Sequence, residues 1–247
     1  MKKEKDFAIK LTHISKKYIL HHQKPTLMEN IFRFGQKENF WALKKINLEL
    51  KKGESLGIIG NNGSGKTTFL KIISGITTQT SGDIKVCGRI VSLIDVNSGF
   101  NQELTGEENI YLNGMLLGMT RKEIEKKFKQ IIKFSDLKKF IDAPFYTYSF
   151  GMKLRLGFAI VAYSNPDIIL IDEVLAGGDK NFLNRTYRFI KNFLKEGKTL
   201  IFVSHFLPIL EKFCQKAVFL EKGEIKMFGE TKKVINSYKN KIGKNNL

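Results

Sequence analysis

The chain has few residues of the kinds that cross-link a fold, anchor it in a membrane or bind a structural metal. It contains only 2 cysteines in 247 residues, and Cys87 and Cys214 have neither metal-ligand spacing nor the number needed for a disulfide framework. No apolar run reaches the roughly 18 to 20 residues of a membrane-spanning helix, and the polar start at residues 1–6 is not a signal peptide. We therefore expect a globular, cytosolic protein.

Acidic residues are scarce relative to basic ones. The chain has 42 lysines and arginines but only 24 aspartates and glutamates, which gives a net charge of +18. Such a balance favours nucleic acid, anionic lipid headgroups or acidic partners. The lysines are nevertheless spread along the whole chain, and most are expected to lie on solvated faces. What remains is a bias toward a membrane surface or a polyanion.

Apolar patterning predicts an α/β core with a helical insertion. The runs Ile168–Ile171 and Thr199–Val203 are short and continuous, as expected for parallel strands covered on both faces. The predicted strands are Phe7–Tyr18, Ile46–Leu50, Leu56–Ile59, Ile84–Val86, Ile90–Ile94, Ile168–Ile171, Leu200–Ser204, Ala217–Leu220 and Glu224–Phe228. The predicted helices after the first glycine loop are Gly106–Leu117, Lys122–Phe134, Lys153–Tyr163 and Phe182–Leu194, and the Lys/Asn-rich tail is expected to fray.

A glycine-rich loop between a strand and a helix is the strongest motif. The apolar run Leu56–Ile59 precedes it, and Thr68–Ile73 continues as a helix. Glycines let the backbone wrap a polyphosphate and point several N–H groups at it. Lys66 supplies a positive charge for the β- and γ-phosphates, and the Thr67 hydroxyl can ligate Mg²⁺. The predicted nucleotide-binding residues of the loop are Gly60, Asn61, Asn62, Gly63, Ser64, Gly65, Lys66, Thr67 and Thr68.

Three polar residues follow predicted parallel strands, where ligands meet open α/β sheets. Asp172 and Glu173 end the strand Ile168–Ile171: Asp172 is predicted to hold Mg²⁺ through water, and Glu173 to polarise the water that attacks the γ-phosphorus. His205 follows the strand Leu200–Ser204 on the same edge and is predicted to contact the γ-phosphate. A solvated acidic pair and a structural histidine are the alternatives.

A second anion site is predicted at Ser149 and Gly151, just before a helix that begins near Met152. Because the chain has one phosphate-loop lysine, this site is predicted to act on nucleotide bound by another subunit. A plain serine N-cap is the alternative. Asp179 lies in a glycine-flexible turn that could carry an acid across the same interface, although alone it would be interpreted as a loop residue.

Together these motifs resemble the ATPase subunits of ABC transporters over nearly the whole chain. The corresponding segments are Walker A at Gly60–Thr67, the signature at Tyr148–Met152, Walker B at Ile168–Glu173, the D-loop at Asp179 and the switch at His205. The stretches Gly99–Tyr111 and Asp142–Ala159 are most similar to the polysaccharide-export branch, which comprises the O-antigen, capsule and teichoic-acid exporters.

The resemblance implies a P-loop NTPase of the ABC-ATPase type, with a mixed-sheet core, an antiparallel β-subdomain and a helical subdomain at about 100–165. Residues 1–247 would form a single nucleotide-binding domain, without the C-terminal carbohydrate-binding domain of some O-antigen exporters. The resemblance also places Tyr18 at the position where an aromatic ring stacks on adenine. A tyrosine that is simply buried or lies at a sheet edge is the alternative.

Cofactors and partners follow from the same resemblance. ATP and Mg²⁺ would bind a head-to-tail homodimer, each ATP lying between Walker A of one copy and Ser149 and Gly151 of the other. The dimer would sit peripherally on the cytoplasmic face of the inner membrane, under polytopic permease subunits, and hydrolysis would drive lipid-linked glycan outward. No nucleic acid is expected as a partner.

Besides the missing C-terminal domain, two positions depart from the family pattern. The usual Q-loop glutamine is absent, and Asp95 is the candidate for its place, while Phe150 replaces a small residue of the signature. The segment Ile19–Phe40 is longer than a hairpin loop needs and is either a loop facing the membrane subunit or an ordered surface insertion. The rival functions are an ABC ATPase acting on nucleic acid or ribosomes, favoured only by the basic charge, and an exporter of another lipid or drug.

Overall fold

A computed structural model describes residues 6–21, 37–93, 99–172 and 179–245. The strands are β1 (Phe7–His21), β2 (Lys37–Lys51), β3 (Ser55–Ile59), β4 (Ser81–Val86), β5 (Ile90–Leu93), β6 (Ile168–Ile171), β7 (Thr199–Val203), β8 (Lys216–Glu221) and β9 (Glu224–Glu230). The helices are α1 (Lys66–Ile73), α2 (Gly106–Leu116), α3 (Arg121–Ser135), α4 (Phe150–Tyr163), α5 (Lys180–Lys195), α6 (Leu207–Phe213) and α7 (Thr231–Asn245).

Two sheets and a helical layer make up the described fold. The larger sheet has the order β5-β6-β7-β3-β8-β9 and is parallel except for β9, which runs antiparallel to β8. The smaller sheet has the order β2-β1-β4 and is antiparallel. This arrangement confirms the predicted fold class, a mixed-sheet α/β core with an antiparallel β-subdomain and additional helices.

The strands β3, β6 and β7 are buried at every position and mostly apolar, because both faces of the larger sheet are covered. On one face, Ile169 and Ile171 of β6 belong to the core that includes side chains of α4, α5, α6 and α7. On the other, Ile168 and Leu170 pack in the core that includes α1 and the smaller sheet. Side chains alternate between the faces of a strand, so one unbroken apolar run serves two cores.

A third core lies among α2, α3 and α4. It contains Ile110, Ile124, Ile131 and Leu156, together with aromatic residues of the connection between α3 and α4. Both α2 and α3 begin with a capping box, in which the N-cap threonine and a glutamate three residues later satisfy each other's backbone N–H groups. These helices therefore form a compact unit that carries α4, and with it the predicted signature residues.

Two sequence-based interpretations are corrected by the fold. The segment Ile19–Phe40 is not all loop, because β1 and β2 continue as a paired ladder to His21 and Lys37, and only residues 22–36 lie outside the described residues. The Lys/Asn-rich tail, which was expected to fray, is the helix α7 as far as Asn245, and this helix buries Val234 and Ile235 completely. Helix α6 was also missed. No helix within the described ranges is long and apolar enough to cross a membrane.

Candidate nucleotide-binding site

The glycine loop, which joins β3 to α1, is packed so closely at Gly60 and Gly65 that no side chain fits at these two positions. A Cβ atom at Gly60 would lie 2.2 Å from the carbonyl oxygen of Leu220, and one at Gly65 would lie 2.5 Å from that of Ala42. Gly65 also has a φ of 108°, in the left-handed region that favours glycine. The loop backbone therefore packs directly against the backbones of β8 and β2, which hold it in place.

Lys66 is buried and lies within the loop that it closes. Its Nζ donates to the carbonyl oxygens of Gly60 at 2.8 Å and Asn61 at 3.2 Å, and the Asn61 oxygen also accepts from the Ser64 N–H at 3.1 Å. The Ser64 hydroxyl is buried and has no hydrogen-bond partner among the residues that the structure describes. A buried polar group without a partner is rare, and a phosphate oxygen in the loop would satisfy it.

One cavity of about 450 Å³ brings together residues that lie far apart in the chain. It is lined by the loop, including Lys66 and Thr67, and by Asp172 and His205. Asp172 follows β6 and His205 follows β7; these strands lie next to each other, with β7 paired in parallel to β3. The carboxyl ends of parallel strands share an edge, so a lysine, a hydroxyl, a carboxylate and an imidazole meet there.

Two predicted residues of this region lie outside the described residues. Glu173 is in the segment 173–178, and Asp95 is in the segment 94–98. Their roles stay predictions. Within the described ranges, the cavity joins residues 62–68 of the loop with Asp172 and His205, whereas the predicted nucleotide-binding residues Gly60 and Asn61 are not among its lining residues.

Aromatic residues near the cavity differ from the expectation. Tyr18 is 37% exposed, with the Lys16 ammonium 5.0 Å from its ring centroid, and it is not among the cavity-lining residues. Its partner across the β1–β2 ladder is Phe40, which does line the cavity and is 46% exposed. Phe40 was missed from the sequence, since only the strand register places it beside the phosphate loop.

The predicted signature residues lie at the start of α4. Ser149 is the N-cap, and its hydroxyl accepts from the Met152 N–H at 3.3 Å, which is the hydrogen bond that the plain N-cap interpretation requires. Gly151 lies in the first turn, between Phe150, which is 56% exposed, and Met152. Neither Ser149 nor Gly151 lines the phosphate-loop cavity of its own chain.

Tyr148, which precedes this turn, is locked in the helical unit. Its hydroxyl donates to the Phe140 carbonyl at 2.6 Å, and burial raises its pKa to about 12. A Cβ atom at Gly106, the first residue of α2, would lie 2.1 Å from that hydroxyl. The tyrosine of the signature therefore depends on a glycine in the branch-specific stretch Gly99–Tyr111, a link that spacing alone does not reveal.

Asp179 caps α5 and ties it to α4. Its carboxylate accepts from the Phe182 N–H at 2.9 Å and from the Arg155 guanidinium at 3.0 Å. These interactions, the backbone one foremost, hold the pKa of Asp179 below its usual value although partial burial opposes them. Asp179 is thus the N-cap of α5 within its own chain and is not among the residues that line the cavity, and its role across an interface stays a prediction.

The fold and the cavity define the class of protein. A glycine loop joins a parallel strand to a helix at the carboxyl edge of the sheet, with Lys66, Thr67 and Asp172 around one cavity, which is the architecture of a P-loop nucleotide-binding protein. The family described as ABC transporter matches residues 43–176, more than half of the chain. This chain belongs to the ABC transporter family.

Relatives in the same family have names that refer to glycan export. The teichoic acids export ATP-binding protein TagH of Enterococcus faecalis is 42% identical over 96% of this chain and 53% of its own length. The O-antigen export system ATP-binding protein RfbB of Myxococcus xanthus is 45% identical over 81% of this chain and 46% of its length. The chain spans about half the length of these two relatives. RfbB of Klebsiella pneumoniae is 37% identical over 94% of this chain and 97% of its length.

Solved structures share the fold. A dimeric structure of a bacterial ABC transporter cassette has a TM-score of 0.72 and 25% identity, covering 90% of this chain and 98% of that one. The structure of an ATP-binding subunit of an ABC transporter has a TM-score of 0.75 at 20% identity, which shows the fold alone.

Proposed function

We propose that this chain hydrolyses ATP as the nucleotide-binding subunit of an ABC transporter that exports lipid-linked polysaccharide, such as O-antigen, capsule or teichoic acid. The observation that carries the ATPase part is the convergence of Lys66, Thr67, Asp172 and His205 on one cavity beside the glycine loop. These residues come from three separate parts of the chain, and their meeting beside one loop supports a site that holds a nucleotide with Mg²⁺ and contacts its γ-phosphate, as ATP hydrolysis requires.

Each of these residues has a distinct task in the proposal. The loop N–H groups and the Lys66 ammonium bind the β- and γ-phosphates, and the buried Ser64 hydroxyl gains the partner that it lacks. Thr67 and Asp172 present oxygen donors to the same cavity and would hold Mg²⁺, which supplies positive charge against the phosphates when it is bound. His205 contacts the γ-phosphate, and Glu173 accepts a proton from the attacking water.

Similarity along the whole chain supports the polysaccharide cargo. RfbB of Klebsiella pneumoniae, an O-antigen export protein by name, is matched over 97% of its length, so the likeness is not confined to the glycine loop and its neighbours. The basic charge is only weak support for a nucleic-acid partner, because the lysines are spread along the whole chain.

Assembly follows from the position of the signature. Ser149 and Gly151 lie outside the cavity of their own chain, which supports their action on ATP bound by a second copy in a head-to-tail homodimer. The bacterial ABC transporter cassette that shares this fold was solved as a dimer. The proposed dimer docks under polytopic permease subunits on the inner face of the cytoplasmic membrane, and the permease carries the glycan.

ATP binding and hydrolysis by matched variants test this proposal. Lys66→Ala should abolish ATP binding, whereas Lys71→Ala on the same helix should leave it unchanged. Glu173→Gln should bind ATP, accumulate as a dimer and lose turnover by about 100-fold or more, the usual contribution of a positioned general base. Glu211→Gln, which makes the same chemical change on α6, should turn over at the wild-type rate. Tight ATP binding by Lys66→Ala, or wild-type turnover by Glu173→Gln, would refute the assigned roles.

A further inference from the structure

The last helix of the described chain reaches the phosphate-binding loop. The face of α7 that carries Val234, Ile235 and Tyr238 is buried in the same core as β8 residues such as Phe219. The Tyr238 ring lies edge-on to Phe219, with centroids 5.1 Å apart, and its hydroxyl donates to the side-chain oxygen of Asn61 at 3.1 Å. Asn61 is the second residue of the glycine loop, so α7 contacts the loop from the side of β8.

Asn61 is held at both its main chain and its side chain. Its carbonyl oxygen accepts from the Lys66 ammonium and the Ser64 N–H, and these two bonds shape the turn that presents the loop N–H groups. Its side chain is exposed and is fixed by Tyr238 from a different element, 177 residues away in the chain. A bond at this point restricts a residue on which the loop geometry depends.

The position of Tyr238 is itself well determined. At the start of α7, the buried Thr231 hydroxyl donates to the Cys214 carbonyl at 2.7 Å. One turn after Tyr238, the Lys241 ammonium pairs with Glu221 at the end of β8 and lies 5.5 Å from the Phe219 ring centroid. Anchors on both sides leave the Tyr238 hydroxyl little freedom, and burial raises its pKa, so it remains a protonated donor at neutral pH.

We propose that α7 is part of the nucleotide site and that Tyr238 is a positioning residue, which acts through Asn61 to preorganise the glycine loop for ATP. A loop that is already held in its binding shape loses less conformational entropy when ligand arrives, so the affinity is higher. This inference rests on the proposed function, because it assigns to Tyr238 a role in the same ATP site. It predicts an effect on ATP affinity and none on the chemical step.

The test compares ATP affinity in variants of the full chain, measured by calorimetric titration with ATP in the presence of EDTA to prevent turnover. Tyr238→Phe keeps the ring on Phe219 and removes only the hydroxyl, and it should raise the Kd for ATP by about twofold to tenfold, the range of one ordinary hydrogen bond. Asn61→Ala removes the same bond from the exposed end and should have a similar effect. Combining the two should weaken binding no further than Asn61→Ala alone. Tyr187→Phe makes the same change on α5 and should bind like wild type.

Steady-state kinetics separate positioning from general damage. Tyr238→Phe should raise the KM for ATP by the same factor as the Kd, with an unchanged kcat and wild-type far-ultraviolet dichroism. Wild-type affinity in both Tyr238→Phe and Asn61→Ala, or fully additive effects of the two, would overturn the inference while leaving the proposed function intact. If Tyr238→Phe failed to fold, the Kd of Asn61→Ala for ATP would decide the question, because that variant removes the same hydrogen bond. A wild-type chain that binds no ATP would refute the proposed function and this inference together.

Discussion

Replacing Gly106 by alanine should destabilise the chain by forcing Tyr148 out of its site. The new Cβ would lie 2.1 Å from the Tyr148 hydroxyl and 3.0 Å from the carbon that bears it, both at or inside the limit of real contacts. Tyr148 is 4% exposed, and its hydroxyl is bonded to the Phe140 carbonyl, so the ring cannot swing aside freely. The collision must therefore be relieved by breaking that bond or by shifting α2.

The magnitude follows from three contributions. Overpacking of this kind costs about 1–3 kcal/mol, and a broken hydrogen bond adds about 0.5–1.5 kcal/mol. Alanine returns up to about 1 kcal/mol through its higher helix propensity. A net loss of about 2 kcal/mol in the free energy of unfolding is expected for Gly106→Ala, which corresponds to about 4–8 °C in Tm for a chain of this size.

Urea unfolding of a double-mutant cycle is the assay. Tyr148→Phe alone should cost about 1 kcal/mol, because it deletes the hydroxyl bond to Phe140. In the Tyr148→Phe background the cost of Gly106→Ala should fall to under about 1 kcal/mol, since the atom in the collision is gone. Gly229→Ala is the control, because no atom of the described part of the chain lies within 4 Å of its added Cβ. If Gly106→Ala lowered the free energy of unfolding equally in both backgrounds, the Tyr148 hydroxyl would not be the group that the added methyl group meets.

Two further predictions concern the cavity and Asp167, the residue that precedes β6. Phe40→Ala should raise the Kd for ATP by about tenfold, in the range of base–aromatic stacking. Tyr18→Ala should raise the Kd less, because Phe40 lines the cavity and Tyr18 does not. Calorimetric titration that gave the opposite order would contradict this description of the site. The Asp167 carboxylate accepts from the Arg89 backbone N–H, which lowers its pKa, so its stabilising effect is present above the unfolded-state pKa of about 4 and is lost below it. The difference in Tm between wild type and Asp167→Asn should therefore be larger at pH 7 than at pH 3, and a constant difference would refute this cause.

The elements predicted best from the sequence are those that carry their own signal. The unbroken apolar runs of β3, β6 and β7 reflect burial on both faces, and the glycine loop is defined by chemistry that few other residue types allow. These three strands place Lys66, Asp172 and His205 at one edge, so the core of the site followed from local patterns together with one rule about parallel sheets.

Features that depend on pairing between distant segments were missed. The strand β2 begins at Lys37 among polar residues, and only its register with β1 makes it a strand. The same β1–β2 register places Phe40 in the lining of the cavity. Helix α7 reads as a basic, asparagine-containing tail because few of its residues are buried, and its contribution is visible only through the Tyr238–Asn61 hydrogen bond.

The burial and the hydrogen-bond partners of polar residues could not be predicted from the sequence either. Asn109 on α2 is completely buried, and its amide donates to the carbonyl oxygens of Asn101, Leu104 and Thr105 while its oxygen accepts from the Asn101 N–H. It fixes the loop that precedes the helical unit. Its partners are backbone groups, whose positions no side-chain pattern encodes.

Co-purification of the trapped ATPase tests the central claim most directly. Tagged Glu173→Gln would be held with ATP and Mg²⁺ in its source cell, extracted in mild detergent and analysed by mass spectrometry, with Lys66→Ala as the control that cannot be trapped. A polytopic membrane protein together with lipid-linked sugar is expected in the Glu173→Gln sample alone. Ribosomal proteins or nucleic acid in their place would contradict it.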